Sequence, residues 1–145
     1  MSKWNNQAPS ALISSWRRHR ETTSLLTIED ALQEIVKYWA SCPRATRCID
    51  YYTPDTWPTP WEILSDKMYC NNTVSLMMYY TIKMLFPDEN IKLYLIDSDS
   101  DEYIVPVLGD SLLNFDYQSV LSFKKEKKNF KVIGRIREDE IPKVL

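Results

Sequence analysis

Apolar residues recur at Ile28, Ala31, Leu32, Ile35, Val36 and Trp39, the spacing of one buried helical face. Thr27 stands where a cap belongs, and Asp30, three residues on, is placed to reach back. Cys42-Pro43 closes that helix. Thr59-Pro60-Trp61-Glu62 predicts a second helix start, with Thr59 as cap, Pro60 at the first helical position and Glu62 completing the box. A third helix opens at Cys70, runs to Phe86 and is stopped by Pro87. Val74, Met77, Met78, Thr81 and Leu85 share one of its sides, while Leu76, Tyr80 and Met84 line another. A helix apolar over so wide an arc belongs at the centre of a domain.

Beyond Pro87 the pattern becomes strand-like over 91–96, 103–108 and 111–117, with Leu108-Gly109-Asp110-Ser111 as a hairpin turn. Lys124-Lys125-Glu126-Lys127-Lys128 reads as a solvated loop, and 130–136 as a last strand. Helices first and strands afterwards predict an α+β fold. In it, N-terminal helices and a central Cys-bearing helix pack on a small antiparallel sheet. Residues 1–25 form an N-terminal arm and 26–145 a single domain. The arm carries Trp4 and a basic patch, Trp16-Arg17-Arg18-His19-Arg20. It either packs on its own domain or docks on a neighbouring subunit. Prolines and rings between Pro43 and Pro60 predict a stiff extended loop over an apolar surface.

Composition narrows the class. At 145 residues the chain suits one domain with a sizeable core. Five Trp and nine Tyr are many, and such rings favour protein–protein contacts. A net charge of −2 gives no general drive toward nucleic acid or an anionic membrane, and no apolar run suggests a span. Gly109 and Gly134 are the only glycines, so no phosphate-cradling loop is present. Cys42, Cys48 and Cys70 make an odd set with no secretory signal before them, which predicts reduced thiols and a soluble protein made in a cytoplasm. Cys42 and Cys48 have no companions at zinc-ligand spacing. Asp97-Ser98-Asp99-Ser100-Asp101 lacks the glycine and the final acid of a calcium loop. No metal or cofactor is expected.

Cys70 is placed like a nucleophile. A helix N-terminus favours a thiolate through its dipole and free amide donors. The proton still needs a base, and the only histidine is His19, far upstream in the arm. The bland alternative is a small buried hydrophobe at a helix start. The stretch from Trp57 to Tyr117 resembles a reduced transglutaminase-like core of the papain type. In that family a cysteine opens a helix, a histidine begins the next β-hairpin, and an aspartate follows near the end of the next strand. Cys70 matches the first position. Asp101-Glu102-Tyr103-Ile104-Val105 stands in the histidine segment and Asn114-Phe115-Asp116 in the aspartate segment. An acid replaces the histidine, and Met68-Tyr69 replaces the family's glycine- and acid-containing approach to the cysteine. The resemblance covers under half of the chain. It implies vestigial positions at Cys70, Glu102 and Asp116, and no catalytic residue in working order. A carboxylate beside a thiol opposes its ionisation.

Pro58-Thr59-Pro60-Trp61-Glu62-Ile63-Leu64, followed by Tyr69-Cys70 and a Met-rich helix, is also similar to small, uncharacterised virion proteins of contractile-tailed bacteriophages. Together these resemblances imply a non-catalytic structural protein of a tail, baseplate or neck, assembled in the host cytoplasm and bound to other protein subunits. Its expected contact residues are Trp4, Trp16, Arg17, Arg18 and Trp57. Two alternatives stand beside this: a cysteine hydrolase or acyltransferase using Cys70 with Asp116 as orienter, and an early phage protein that binds a host factor.

Overall fold

Local capping signals fix the helices. The structure is a computed structural model that describes residues 3–45 and 49–143, so Cys48 lies outside the described residues. A short α1 (Lys3–Asn6) precedes α2 (Pro9–Thr23), α3 (Ile28–Trp39), α4 (Pro60–Ser65) and α5 (Asn71–Leu85). Thr27 Oγ1 accepts from the Asp30 N–H at 3.3 Å, the forward half of the expected box. At α4 both halves form: Thr59 Oγ1 accepts from the Glu62 N–H at 3.3 Å, and Glu62 Oε1 accepts from the Thr59 N–H at 3.0 Å. The interior of α5 is buried continuously from Asn72 to Ile82, which makes it the central helix its sequence predicts.

The sheet follows as β1 (Lys92–Ser98), β2 (Asp101–Leu108), β3 (Ser111–Leu112), β4 (Leu121–Ser122) and β5 (Lys131–Ile136), in the order β4-β3-β2-β1-β5, every neighbouring pair antiparallel. Asp99 and Ser100, both at positive φ, turn β1 into β2. Gly109 (φ 59°) turns β2 into β3. Alternation along the strands gives two apolar faces. Leu93, Leu95, Ile104 and Ile136 join the main core with the helices. Ile96, Val105, Val107 and Leu112 form a second cluster with Tyr94, Tyr103, Phe115, Phe123 and Phe130. The protein is therefore α+β, with N-terminal helices on a small antiparallel sheet.

Two elements depart from the sequence pattern. The strand expected over 111–117 stops at Leu112, because Asn114 (φ 61°) and Tyr117 (φ 68°) adopt left-handed backbone and Asp116 accepts from the Gln118 and Ser119 N–H groups. The expected solvated loop over 124–128 is instead a helical turn, α6 (Phe123–Glu126), capped by Ser122 Oγ and continued by a 3₁₀ turn over Lys127–Asn129.

The arm is helical and packs on the domain. Trp16 is fully buried, with its Nε1 donating to Thr81 Oγ1 of α5 at 3.0 Å. Trp4, 1% exposed, stacks on Trp39 at 4.9 Å between ring centroids. Leu12 is buried on the same side of α2. The Pro43–Pro60 loop, where described, buries Ile49, Tyr51, Pro54 and Trp57, and Trp57 Nε1 donates to the Asp50 carbonyl at 2.7 Å. None of the helices among the described residues is long and apolar enough to cross a membrane.

Candidate functional site

The N-terminus of α5 meets the start of β2, and the junction is held by polar side chains. Cys70 occupies the cap position, with Sγ accepting from the Thr73 N–H at 3.5 Å and its own N–H donating to Thr73 Oγ1 at 2.8 Å. It is 1% exposed. One turn on, Asn72 Oδ1 accepts from the Ile104 N–H at 3.0 Å, and Ser75 Oγ donates to the Ile104 carbonyl at 2.7 Å. These two bonds fasten the β2 backbone to the helix. The alternation of β2 then places Glu102 on the same face as Ile104, toward α5.

Asn114 completes the junction from the far side. It is fully buried; its Nδ2 donates to the Asn71 carbonyl at 3.0 Å and to Ser75 Oγ at 2.8 Å. Its Oδ1 accepts from Arg44 Nη2 at 3.1 Å. Arg44 also reaches the Trp39 carbonyl at 3.4 Å and lies 4.5 Å over the Tyr117 ring. Burial lowers the Arg44 pKa, opposed by the acidic partners Cys42, Tyr117 and Cys70. Tyr117 closes the circuit, its hydroxyl accepting from Asn71 Nδ2 at 2.7 Å. A left-handed backbone at Asn114 suits this role, since Asn tolerates that region better than most residues.

Beside Cys70 these residues enclose a cleft of about 290 Å³ bounded by Asn71, Asn72, Asp101, Glu102, Tyr103 and Tyr117, with Ala45 at one edge. Glu102 Oε1 accepts from the Tyr52 hydroxyl at 2.9 Å. Burial pushes the Tyr103 phenol up to about 12. Cys42 lies apart from the cleft, and burial pushes its thiol to about 12 despite the neighbouring Arg44. No cluster of three or more His, Cys, Asp or Glu able to hold a metal occurs among the described residues.

The structure thus brings Cys70 and Glu102 to one cleft, and leaves Asp116 out of it. Asp116 is exposed at the following turn; burial works against its ionisation, but the Ser119 hydroxyl and the Gln118 and Ser119 N–H groups hold its carboxyl below the usual range. Within the segment Asn114-Phe115-Asp116, Asn114 is the residue that reaches α5. His19 does not line the cleft; it stacks on Tyr38 at 4.1 Å, with Nδ1 3.4 Å from Thr23 Oγ1.

The expected contact residues divide. Trp4, Trp16 and Trp57 are core residues, because each ring is enclosed by its own domain and each indole N–H is satisfied within it. Arg17 and Arg18 are exposed on α2. Sequence reasoning missed Arg44, Asn71, Asn72 and Tyr117; the Asn71-Asn72 pair directly after the cysteine was the available signal. Comparison with protein-family models, curated proteins and solved structures gave no match in any of the three.

Proposed function

We propose that the protein is a non-catalytic interaction module, a transglutaminase-like scaffold retained for its shape and built into a contractile-tailed phage particle. The observation that carries the first part is the use of Cys70. Its sulfur is enclosed and caps α5 through Thr73, and the groups lining the cleft are carboxylates, amides and phenols. A nucleophilic thiol needs exposure and a partner that takes its proton. The carboxylates of Asp101 and Glu102 are the wrong sign to favour a thiolate. The virion assignment rests on the resemblance of the segment Pro58–Leu64.

Treatment of the native protein with an electrophilic thiol probe across pH 5 to 9 tests the chemistry. The expected result is that Cys70 stays unlabelled below about pH 8.5, the range of an ordinary thiol, and labels readily after unfolding. Selective labelling of native Cys70 near pH 6 establishes the hydrolase or acyltransferase reading instead. Mass spectrometry of purified virions tests the location: the chain is expected among the particle proteins, and its absence there with abundance early in infection favours a host-directed factor.

A further inference from the structure

The cleft beside Cys70 holds polar groups that the fold does not use. Asn72 is 3% exposed, and its Oδ1 is committed to the Ile104 N–H. Among the described residues its Nδ2 amide donates to nothing. Asn71 Nδ2 is committed to Tyr117, while its Oδ1, out of contact with solvent, has no partner among the described residues. Buried polar groups are ordinarily satisfied, and the exceptions need a reason. These two line one cleft with two carboxylates, Asp101 and Glu102. The site therefore presents one buried donor group beside several acceptors, two of them anionic.

We infer that this cleft receives an arginine side chain from an extended segment of a partner protein, the guanidinium meeting Glu102, Asp101 and Asn71 Oδ1 while an amide carbonyl of that segment accepts from Asn72 Nδ2. The inference rests on the non-catalytic reading above and names its ligand. Guanidinium carries five N–H donors in a rigid plane, which suits acceptors spread around a cleft better than a single ammonium does. Arg44 does not compete for the same acceptors: its guanidinium is bonded to Asn114 and the Trp39 carbonyl and covers the Tyr117 ring. At about 290 Å³ the space lies at the lower edge of ligand pockets, suited to one long side chain. Two carboxylates are too few to hold a metal ion in this setting.

The test titrates the full chain with acetyl-Ala-Arg-Ala-amide and, separately, with the same peptide bearing neutral citrulline and with free arginine amide. Side-chain amide resonances of Asn71 and Asn72 and backbone resonances of Glu102 to Ile104 are followed by NMR. Saturable shifts centred on Asn72 are expected. Replacing arginine by citrulline, or Glu102→Gln in the protein, is expected to weaken them roughly tenfold or more, the scale of one charge-assisted hydrogen bond. Free arginine amide is expected to bind more weakly than the peptide. Glu102→Gln keeps an acceptor for Tyr52; should that variant misfold, the citrulline comparison on the unaltered chain decides alone. Equal binding of both peptides, tighter binding of free arginine amide, shifts scattered over Asp97, Asp99 and Asp139, or no saturation by about 10 mM overturns the proposal. Loss of peptide binding with Cys70 still unreactive leaves the non-catalytic reading in place, whereas native thiol labelling overturns that reading whatever the peptide does.

Discussion

Removing the Asn114 side chain tests whether the junction of α5 and β2 is held as described. Asn114→Ala deletes three buried hydrogen bonds, to Asn71, Ser75 and Arg44. The bond from the Arg44 guanidinium is charge-assisted and contributes about 1.5–3 kcal/mol, and the two neutral ones about 1 kcal/mol each. Alanine at the φ of 61° found there adds about 1 kcal/mol of backbone strain. The sum, roughly 4–6 kcal/mol, is a large part of the ~5–15 kcal/mol that stabilises a domain. Urea unfolding followed by tryptophan fluorescence reads it, since Trp16 and Trp39 are fully buried. The sharper measurement is a double-mutant cycle with Arg44→Met. A coupling of about 1.5–3 kcal/mol between positions 44 and 114 is expected, with little change in the denaturant slope. A coupling below about 0.5 kcal/mol, or a single-variant loss below about 1 kcal/mol, refutes the account of Asn114 as the keystone of the site.

Deleting residues 1–25 removes Trp4, Leu12 and Trp16 from the main core. Each Trp alone is worth about 3–5 kcal/mol on truncation, so the shortened chain is expected to lose cooperative unfolding and near-ultraviolet circular dichroism; a sharp transition in that chain contradicts the packing. Alkaline pH is expected to destabilise the fold. Cys42 and the phenols of Tyr79 and Tyr103 are each raised by burial to about 12, so they stay protonated when folded and ionise when unfolded. Their contribution is complete below the ordinary thiol value of 9.0 and is lost as pH rises toward 12. The urea midpoint should therefore fall between pH 9 and 11, and a flat profile there contradicts the burial of these groups.

Wherever a few neighbouring residues decide the outcome, the sequence was readable. Thr27 and Thr59 cap as their spacing predicts, and the apolar stripe from Ala31 to Trp39 is buried. The arm was harder because α2 buries only Leu12, Trp16 and Thr23, and its exposed arginines resemble a docking patch. Yet Leu12 and Trp16 lie four apart on one helical face, a signal that was present and thin. What seals Trp16 is Thr81, far away in the chain, which no local pattern reveals. The same holds for the site. Asp116 draws attention by its charge, but a turn directs it outward while the neutral Asn114 reaches α5. Arg44 enters from an irregular stretch whose path is set by tertiary contacts, beyond the reach of periodicity.

The bond between Trp16 and Thr81 spans 65 residues and sets an order of events during synthesis. At translation speeds of about 5–20 residues per second, α2 leaves the ribosome some 3–13 s before the helix that must enclose its indole. Throughout that interval Leu12 and Trp16 present an open greasy stripe on a nascent chain. The arginines and glutamate that alternate with it, Arg17, Arg18, Arg20 and Glu21, then act as a temporary solubilising coat, a duty unrelated to anything the finished fold asks of them.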